Sequence, residues 1–152
     1  MPRIEPRIDL IRPHCDGRVD APAGALAVGG VVEARLLDLI KLRAAQISGC
    51  PQCIEMHSKA ARAHGETEQR LVTISAWLPS RLFSERERAA LSWTEVVTHG
   101  SEGQFSEQAY AEARACLDEQ SLVALTSVIF TIKSWNHFCI ASASAAAGQA
   151  AA

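Results

Sequence analysis

The sequence predicts an all-α protein with one main domain, and three observations support this class. Apolar residues recur at helical spacing over most of the chain, polar capping residues precede these runs, and glycine or proline follows them. Alternating strand patterns and hairpin dipeptides do not compete with this spacing. At 152 residues, with 48% of them apolar, the chain has enough material for a single core.

The first 23 residues are predicted to form an extended N-terminal arm. Four of the six prolines fall here, at positions 2, 6, 13 and 22. Proline disfavours helical geometry in the residue before it, so prolines at this density interrupt any helix. Residues 24–148 are then expected to form a single helical domain.

Three helices are predicted in the first half of this domain. The first covers residues 31–47, and its apolar stripe consists of Val32, Leu36, Leu39, Ile40 and Ile47. The second covers 51–64, and the third runs from residue 66 or 67 to about residue 78. Gly65 and Pro79 are placed to end the second and the third helix, respectively.

Serine residues mark the starts of the later helices. Ser84-Glu85-Arg86-Glu87 has the form of a capping box and predicts a helix that extends to about His99. Ser106 is expected to cap a helix over 107–117. A final long helix starts near Glu119 and enters an alanine-rich tail, whose last four residues are expected to fray.

Composition and charge exclude several classes of partner. The formal net charge is −2 and no basic patch is present, so nucleic acid and anionic membranes are not expected as partners.

No apolar run reaches bilayer length, and the N-terminus lacks the apolar segment of a signal peptide, so a cytoplasmic protein is expected. No dinucleotide or phosphate-binding fingerprint occurs, and no cofactor is expected.

The segment Cys50-Pro51-Gln52-Cys53 carries the chemistry that the sequence indicates. Pro51 suits the first position of a helix, which makes Cys50 the N-cap and Cys53 the third helical residue. Both sulfurs then lie beside unpaired backbone N–H groups at the positive end of the helix dipole. This environment favours the thiolate, which is the nucleophilic form of cysteine.

A histidine completes this arrangement. His57 follows Cys53 by four residues, so the two side chains share one helix face, one turn apart. A thiol, a nearby base and a second thiol indicate a redox site. The other three cysteines, Cys15, Cys116 and Cys139, are isolated in the sequence and are interpreted as packing residues.

Two other interpretations of the cysteine pair stay open. The pair could be half of a zinc site completed by His57 and His64, or by His14 and Cys15 of the arm. The spacing does not match a zinc finger, and no second pair follows. Alternatively, the cysteines and the histidine could form a buried structural cluster without catalytic chemistry.

The motif also resembles that of a known family. Residues 39–57, with the pattern Ser-Gly-Cys-Pro-Gln-Cys-Ile-Glu-Met-His at their end, resemble the core of the carboxymuconolactone decarboxylase superfamily, and within it the AhpD-like alkylhydroperoxidase branch. The match continues over residues 82–95 and, more weakly, over 134–137. The resemblance implies an all-helical fold, assembly into homotrimers or homohexamers, and peroxidase activity of the peroxiredoxin type.

Roles carry over from this resemblance residue by residue. Cys53 matches the cysteine that attacks the hydroperoxide, Cys50 the resolving cysteine, and His57 the proton-relay histidine. Asp38 occupies the position of the relay glutamate, shortened by one methylene. An external dithiol or protein reductant is then required to regenerate the pair.

Asp38 also has a simpler interpretation. Arg35 and Lys41 flank it at ion-pair spacing on a helix, so it could be a solvated salt-bridge partner. Two rival functions stay open as well: a dithiol–disulfide oxidoreductase or redox sensor, and a helical assembly module without catalysis.

Overall fold

The computed structural model describes residues 30–100 and 105–150, with the side chains of 144–150 excepted. Over these ranges the chain is helical and contains no strand, which confirms the predicted all-α class. The helices are α1 (Ala34–Ser48), α2 (Pro51–Ala63), α3 (Glu68–Thr73), α4 (Glu85–His99), α5 (Glu107–Cys116) and α6 (Glu119–Ala150). The predicted arm, residues 1–23, lies outside the described residues.

Helix α1 lies at the centre of the fold and packs against α2, α4 and α6. One side of α1, through Leu36 and Ile40, joins a core cluster with α4, α5 and α6. Another side, through Leu39 and Leu42, joins a second cluster with α2, α3 and α4. Because α1 is buried on more than one side, it acts as the scaffold on which α2 is positioned.

The third predicted helix is shorter than expected. The α-helical part ends at Thr73, a single 3-10 turn covers Ile74–Ala76, and a turn follows. The Thr73 hydroxyl donates a hydrogen bond to the carbonyl of Gln69 at 2.6 Å. Short 3-10 turns are common at helix C-termini, and Pro79, which has no N–H to donate, prevents the helix from continuing beyond this turn.

The predicted serine caps are confirmed. Ser84 and Glu87 form a complete capping box at the start of α4. The Ser106 hydroxyl accepts a hydrogen bond from the amide of Ala109 at 3.1 Å and caps α5. Helices α4 and α5 therefore begin where the sequence places them.

A buried carboxylate closes the loop between α2 and α3. The Glu66 side chain is buried and pairs with Arg35 of α1 at 3.1 Å and with Arg70 of α3 at 2.8 Å. Arg70 also pairs with Glu87 of α4 at 2.5 Å. Because a buried charge requires compensating partners, this network fixes the loop after α2 against α1 and α4.

No single helix in the described ranges is long and apolar enough to cross a bilayer. Residues 107–116 and 119–143 reach that length and composition only as a pair, and the pair is bent by 118°.

Candidate active site

The turn between α1 and α2 positions the first cysteine. Gly49 adopts a left-handed conformation with φ 69°, which glycine reaches without steric cost. Its amide bonds to the carbonyl of Gln46, and the amide of Cys50 bonds to the carbonyl of Ala45, each at 3.2 Å. This pair of bonds is a Schellman motif, so α1 ends and the chain reverses immediately before Cys50.

Cys50 is the N-cap of α2, as predicted from Pro51. The amide of Cys53 donates a hydrogen bond to the sulfur of Cys50 at 3.3 Å. The two cysteines are joined by a disulfide, with their Cα atoms 5.3 Å apart. This Cα separation is within the usual range for a disulfide, so the first turn of α2 accommodates the bond.

The disulfide is buried. Cys50 and Cys53 are only 2% and 1% exposed, and they form one cluster with Ala45 of α1 and Cys139 of α6. Ile54, Trp135 and Ile140 pack around this cluster. A reagent must therefore pass through packed side chains, or the first turn of α2 must move, before either sulfur can react.

His57 lies on the same buried face of α2. The buried residues of this helix are Cys53, His57 and Ala61, which follow each other at intervals of four. Burial, and secondarily the positive charge of Lys41, lowers the pKa of His57 from 6.5 to about 4. The imidazole is therefore neutral at physiological pH. Among the described residues, its Nε2 atom has no hydrogen-bond partner.

Asp38 is buried, and its described partner is His64. Nδ1 of His64 donates a hydrogen bond to Oδ2 of Asp38 at 2.5 Å. The side chain of Asp38 is 4% exposed and that of His64 is 50% exposed. The simple interpretation of Asp38 as a solvated ion-pair residue does not describe this environment. The resemblance gives Asp38 the position of the relay carboxylate, and in the structure its hydrogen bond goes to His64, two turns beyond His57.

A row of polar side chains follows the contact between α1 and the end of α2. At intervals of three residues along α1, Arg35 meets Glu66, Asp38 meets His64, and Lys41 lies close enough to His57 to influence it electrostatically. Asp38 therefore lies on α1 one turn before Lys41, whose charge acts on His57.

Sequence reasoning did not identify three side chains near the site. The sequence indicates Lys41 only as a flank of Asp38 and Cys139 only as a packing residue, and Asn136 reads there as a core or packing residue of the last helix. Asn136 is fully buried and donates a hydrogen bond to Ser48 at 3.3 Å, next to the Gly49 turn. Their spacing in the sequence could have indicated that Ile132, Asn136 and Cys139 lie on one buried face of α6.

The described residues around the cysteine pair do not form a metal site. Within residues 30–100 and 105–150, no three histidine, cysteine or acidic side chains converge in a way that could hold a metal ion. His14 and Cys15 lie outside these ranges. Glu55 is exposed and pairs with Lys59 at 2.7 Å, so it lies on the surface, away from the buried face that carries Cys53 and His57.

An all-helical fold with a buried cysteine pair at the start of α2 defines the class of protein. A sequence model of the carboxymuconolactone decarboxylase family matches residues 17–96. The chain belongs to this family, within its AhpD-like branch.

Two similar proteins support this assignment. The uncharacterized protein YdfG of Bacillus subtilis is 38% identical over 112 residues, which are 74% of this chain and 76% of the relative. The crystal structure of a protein of unknown function from Agrobacterium tumefaciens, provisionally assigned as the antioxidant defence protein AhpD, superimposes with a TM-score of 0.77. That protein is 32% identical, and the match covers 90% of this chain and 93% of the other.

Proposed function

We propose that this protein is a thiol-dependent peroxidase that reduces hydroperoxides with the Cys50–Cys53 pair. The observation that carries the proposal is the pair itself, joined in a disulfide at the N-terminus of α2 on the helix face that holds a neutral histidine. The AhpD-like family assignment supports the same chemistry.

The first step is attack by Cys53. His57, neutral because burial lowers its pKa to about 4, accepts the proton of the Cys53 thiol. The Cys53 thiolate attacks one oxygen of the hydroperoxide, and the O–O bond breaks. The products are a sulfenic acid on Cys53 and an alkoxide, or hydroxide, which takes up the proton and leaves as alcohol or water.

The second step is resolution by Cys50. The Cys50 thiol attacks the sulfur of the sulfenic acid, the disulfide forms, and water is released. The amide of Cys53 stabilises negative charge on Cys50, because it already donates a hydrogen bond to this sulfur. An external dithiol that attacks Cys53 would therefore expel Cys50 as the more stable thiolate, and two electrons would return to the pair.

The function is tested by stopped-flow oxidation of the reduced protein with hydrogen peroxide and with organic hydroperoxides. We expect second-order consumption of one peroxide per subunit and, by mass spectrometry, a Cys50–Cys53 disulfide as the product. Cys116→Ser is the matched control, since Cys116 is an exposed cysteine at the end of α5. Reduced protein that leaves each peroxide unconsumed, but exchanges its dithiol with other disulfides, would instead identify a dithiol–disulfide oxidoreductase.

We also propose that the active form is a homo-oligomer, trimeric or hexameric. Val123, Phe130 and Phe138 of α6 are 62%, 45% and 38% exposed, and their spacing of seven and eight residues puts them on one face of the helix. An exposed apolar face of this length is typical of an interface between subunits. The stoichiometry comes from the resemblance to the AhpD-like branch.

A further inference from the structure

A third cysteine lies in the same buried cluster as the disulfide. Cys139 of α6 is 1% exposed, and its cluster contains only Ala45, Cys50 and Cys53 besides itself among the described buried residues. In the reduced protein, three thiols thus occupy one small buried space. Cys116, by contrast, is exposed and belongs to no such cluster.

The position of Cys139 relative to the pair is fixed by α6. Asn136 lies one turn before Cys139 on the same buried face and is hydrogen-bonded to Ser48, two residues before Cys50. Trp135 and Ile140 pack against the cluster on either side of this face. Helix α6 is therefore held against the turn that carries Cys50, and Cys139 is held with it.

From this juxtaposition we infer that Cys139 is a second resolving thiol of the site. This role rests on the proposed peroxidase function for its first step. When Cys53 carries a sulfenic acid, the Cys139 thiol attacks its sulfur, a Cys53–Cys139 disulfide forms, and water is released. A thiol–disulfide exchange can follow. The Cys50 thiolate attacks the Cys53 sulfur of that bond, the Cys50–Cys53 disulfide forms, and Cys139 leaves as the thiolate.

Burial explains why a second resolving thiol matters at this site. A sulfenic acid that meets further peroxide is oxidised irreversibly to sulfinic acid, whereas condensation with a thiol is reversible. Large external thiols reach Cys53 only when the first turn of α2 moves, since Cys53 is 1% exposed within its packed cluster. A thiol already inside the cluster protects Cys53 whenever Cys50 is not available to react.

The experiment uses full-length Cys50→Ser, reduced and then treated in two separate arms. One arm uses diamide, which couples neighbouring thiols without peroxide, and the other uses one equivalent of hydrogen peroxide. Peptide mapping under alkylating conditions should show a Cys53–Cys139 link within one subunit in both arms. Cys50→Ser/Cys139→Ser should lose the link and show several-fold more sulfenic acid trapped on Cys53 after peroxide. Cys50→Ser/Cys116→Ser should behave like Cys50→Ser.

The two arms separate failure of this inference from failure of the proposed function. A folded Cys50→Ser protein that gives no Cys53–Cys139 link with diamide, or gives it only between subunits, overturns the role of Cys139. A link with diamide, together with thiols that hydrogen peroxide leaves untouched, supports the placement of Cys139 and overturns the peroxidase function. Cys139→Ala replaces Cys139→Ser if a hydroxyl at this buried position lowers stability.

Discussion

The amide of Cys53 donates a hydrogen bond to the sulfur of Cys50, so the backbone of α2 distinguishes the two cysteines. Cys50, at the N-cap, is the sulfur that the helix stabilises as an anion. Cys53, at the third helical position, shares its face with His57. The amide bond makes Cys50 a good leaving group, while the nearby base suits Cys53 to attack.

This asymmetry predicts different behaviour of the two single mutants. Cys53→Ser should abolish peroxide consumption, because the remaining cysteines lack the helix-face histidine. Cys50→Ser should still consume one peroxide per subunit, because the attacking thiol is intact. Quantitative peroxide assays on reduced protein measure both, with Cys116→Ser as the control. Activity in Cys53→Ser together with inactivity in Cys50→Ser would reverse the assigned roles.

The local parts of the site could be predicted from the sequence. Pro51 and the helix spacing placed Cys50 at the cap, Cys53 at the third position and His57 on the same face, because each depends on residues within one or two turns. The partner of Asp38 could not be predicted, since the packing of α1 on α2 decides which histidine meets the carboxylate. Cys139 could not be linked to the pair either, because α6 reaches it only through the tertiary fold.

His57 should act as a neutral base. In the disulfide-bonded protein, burial lowers the pKa of His57 to about 4, and the same burial favours a neutral imidazole beside the Cys53 thiol after reduction. His57→Gln should therefore slow Cys53 oxidation about 10²-fold at neutral pH and change the thiol titration little. Rapid peroxide kinetics and ultraviolet thiolate absorbance measure the two effects, and His99→Gln, at the exposed histidine that ends α4, is the control. A large upward shift of the thiol titration would instead indicate a thiolate–imidazolium pair.

The same histidine predicts acid sensitivity of the fold. In the unfolded chain the imidazole titrates near pH 6.5, whereas in the folded protein it does so near pH 4. Between these pH values the imidazole is protonated in the unfolded chain but not in the folded protein. The contribution of neutral His57 to the free energy of unfolding is therefore complete above about pH 6.5 and is lost as the pH falls to about 4. This difference between the folded and unfolded pKa values corresponds to a change of about 3 kcal/mol at most in the free energy of unfolding.

Urea unfolding across this pH range checks the prediction. His57→Gln should show a flatter dependence of the free energy of unfolding on pH than the wild type, because glutamine does not titrate. Carboxylates contribute to both proteins alike, so the difference between the two curves isolates the histidine. Parallel curves would mean that His57 is not buried as a neutral group.

Asp38 and His64 should not be equivalent in function. Asp38 is buried on α1 one turn before Lys41, which acts electrostatically on His57, whereas His64 is half exposed and water can replace its hydrogen bond. Asp38→Asn is expected to slow Cys53 oxidation by about tenfold, and His64→Ala by clearly less. Asp38→Glu, which restores the family glutamate, should retain most of the rate. Equal losses in Asp38→Asn and His64→Ala would mean that the bond between them, rather than the carboxylate alone, supports the reaction.

The exposed face of α6 predicts how the oligomer can be disrupted. Between Val123 and Phe138 the exposed residues of α6 are Ser127, Phe130, Ser134 and His137, and none of them is acidic, a lysine or an arginine. Association through this face would therefore bury no permanently charged side chain. Phe130→Glu introduces a charge at its middle and should shift the protein to a smaller species in light scattering. Gln69→Glu adds the same charge on the exposed surface of α3 and should leave the mass unchanged. If the wild type is already a monomer at micromolar concentration, the face has another partner and the oligomer proposal is wrong. If Phe130→Glu keeps the full mass, subunits associate through a different surface.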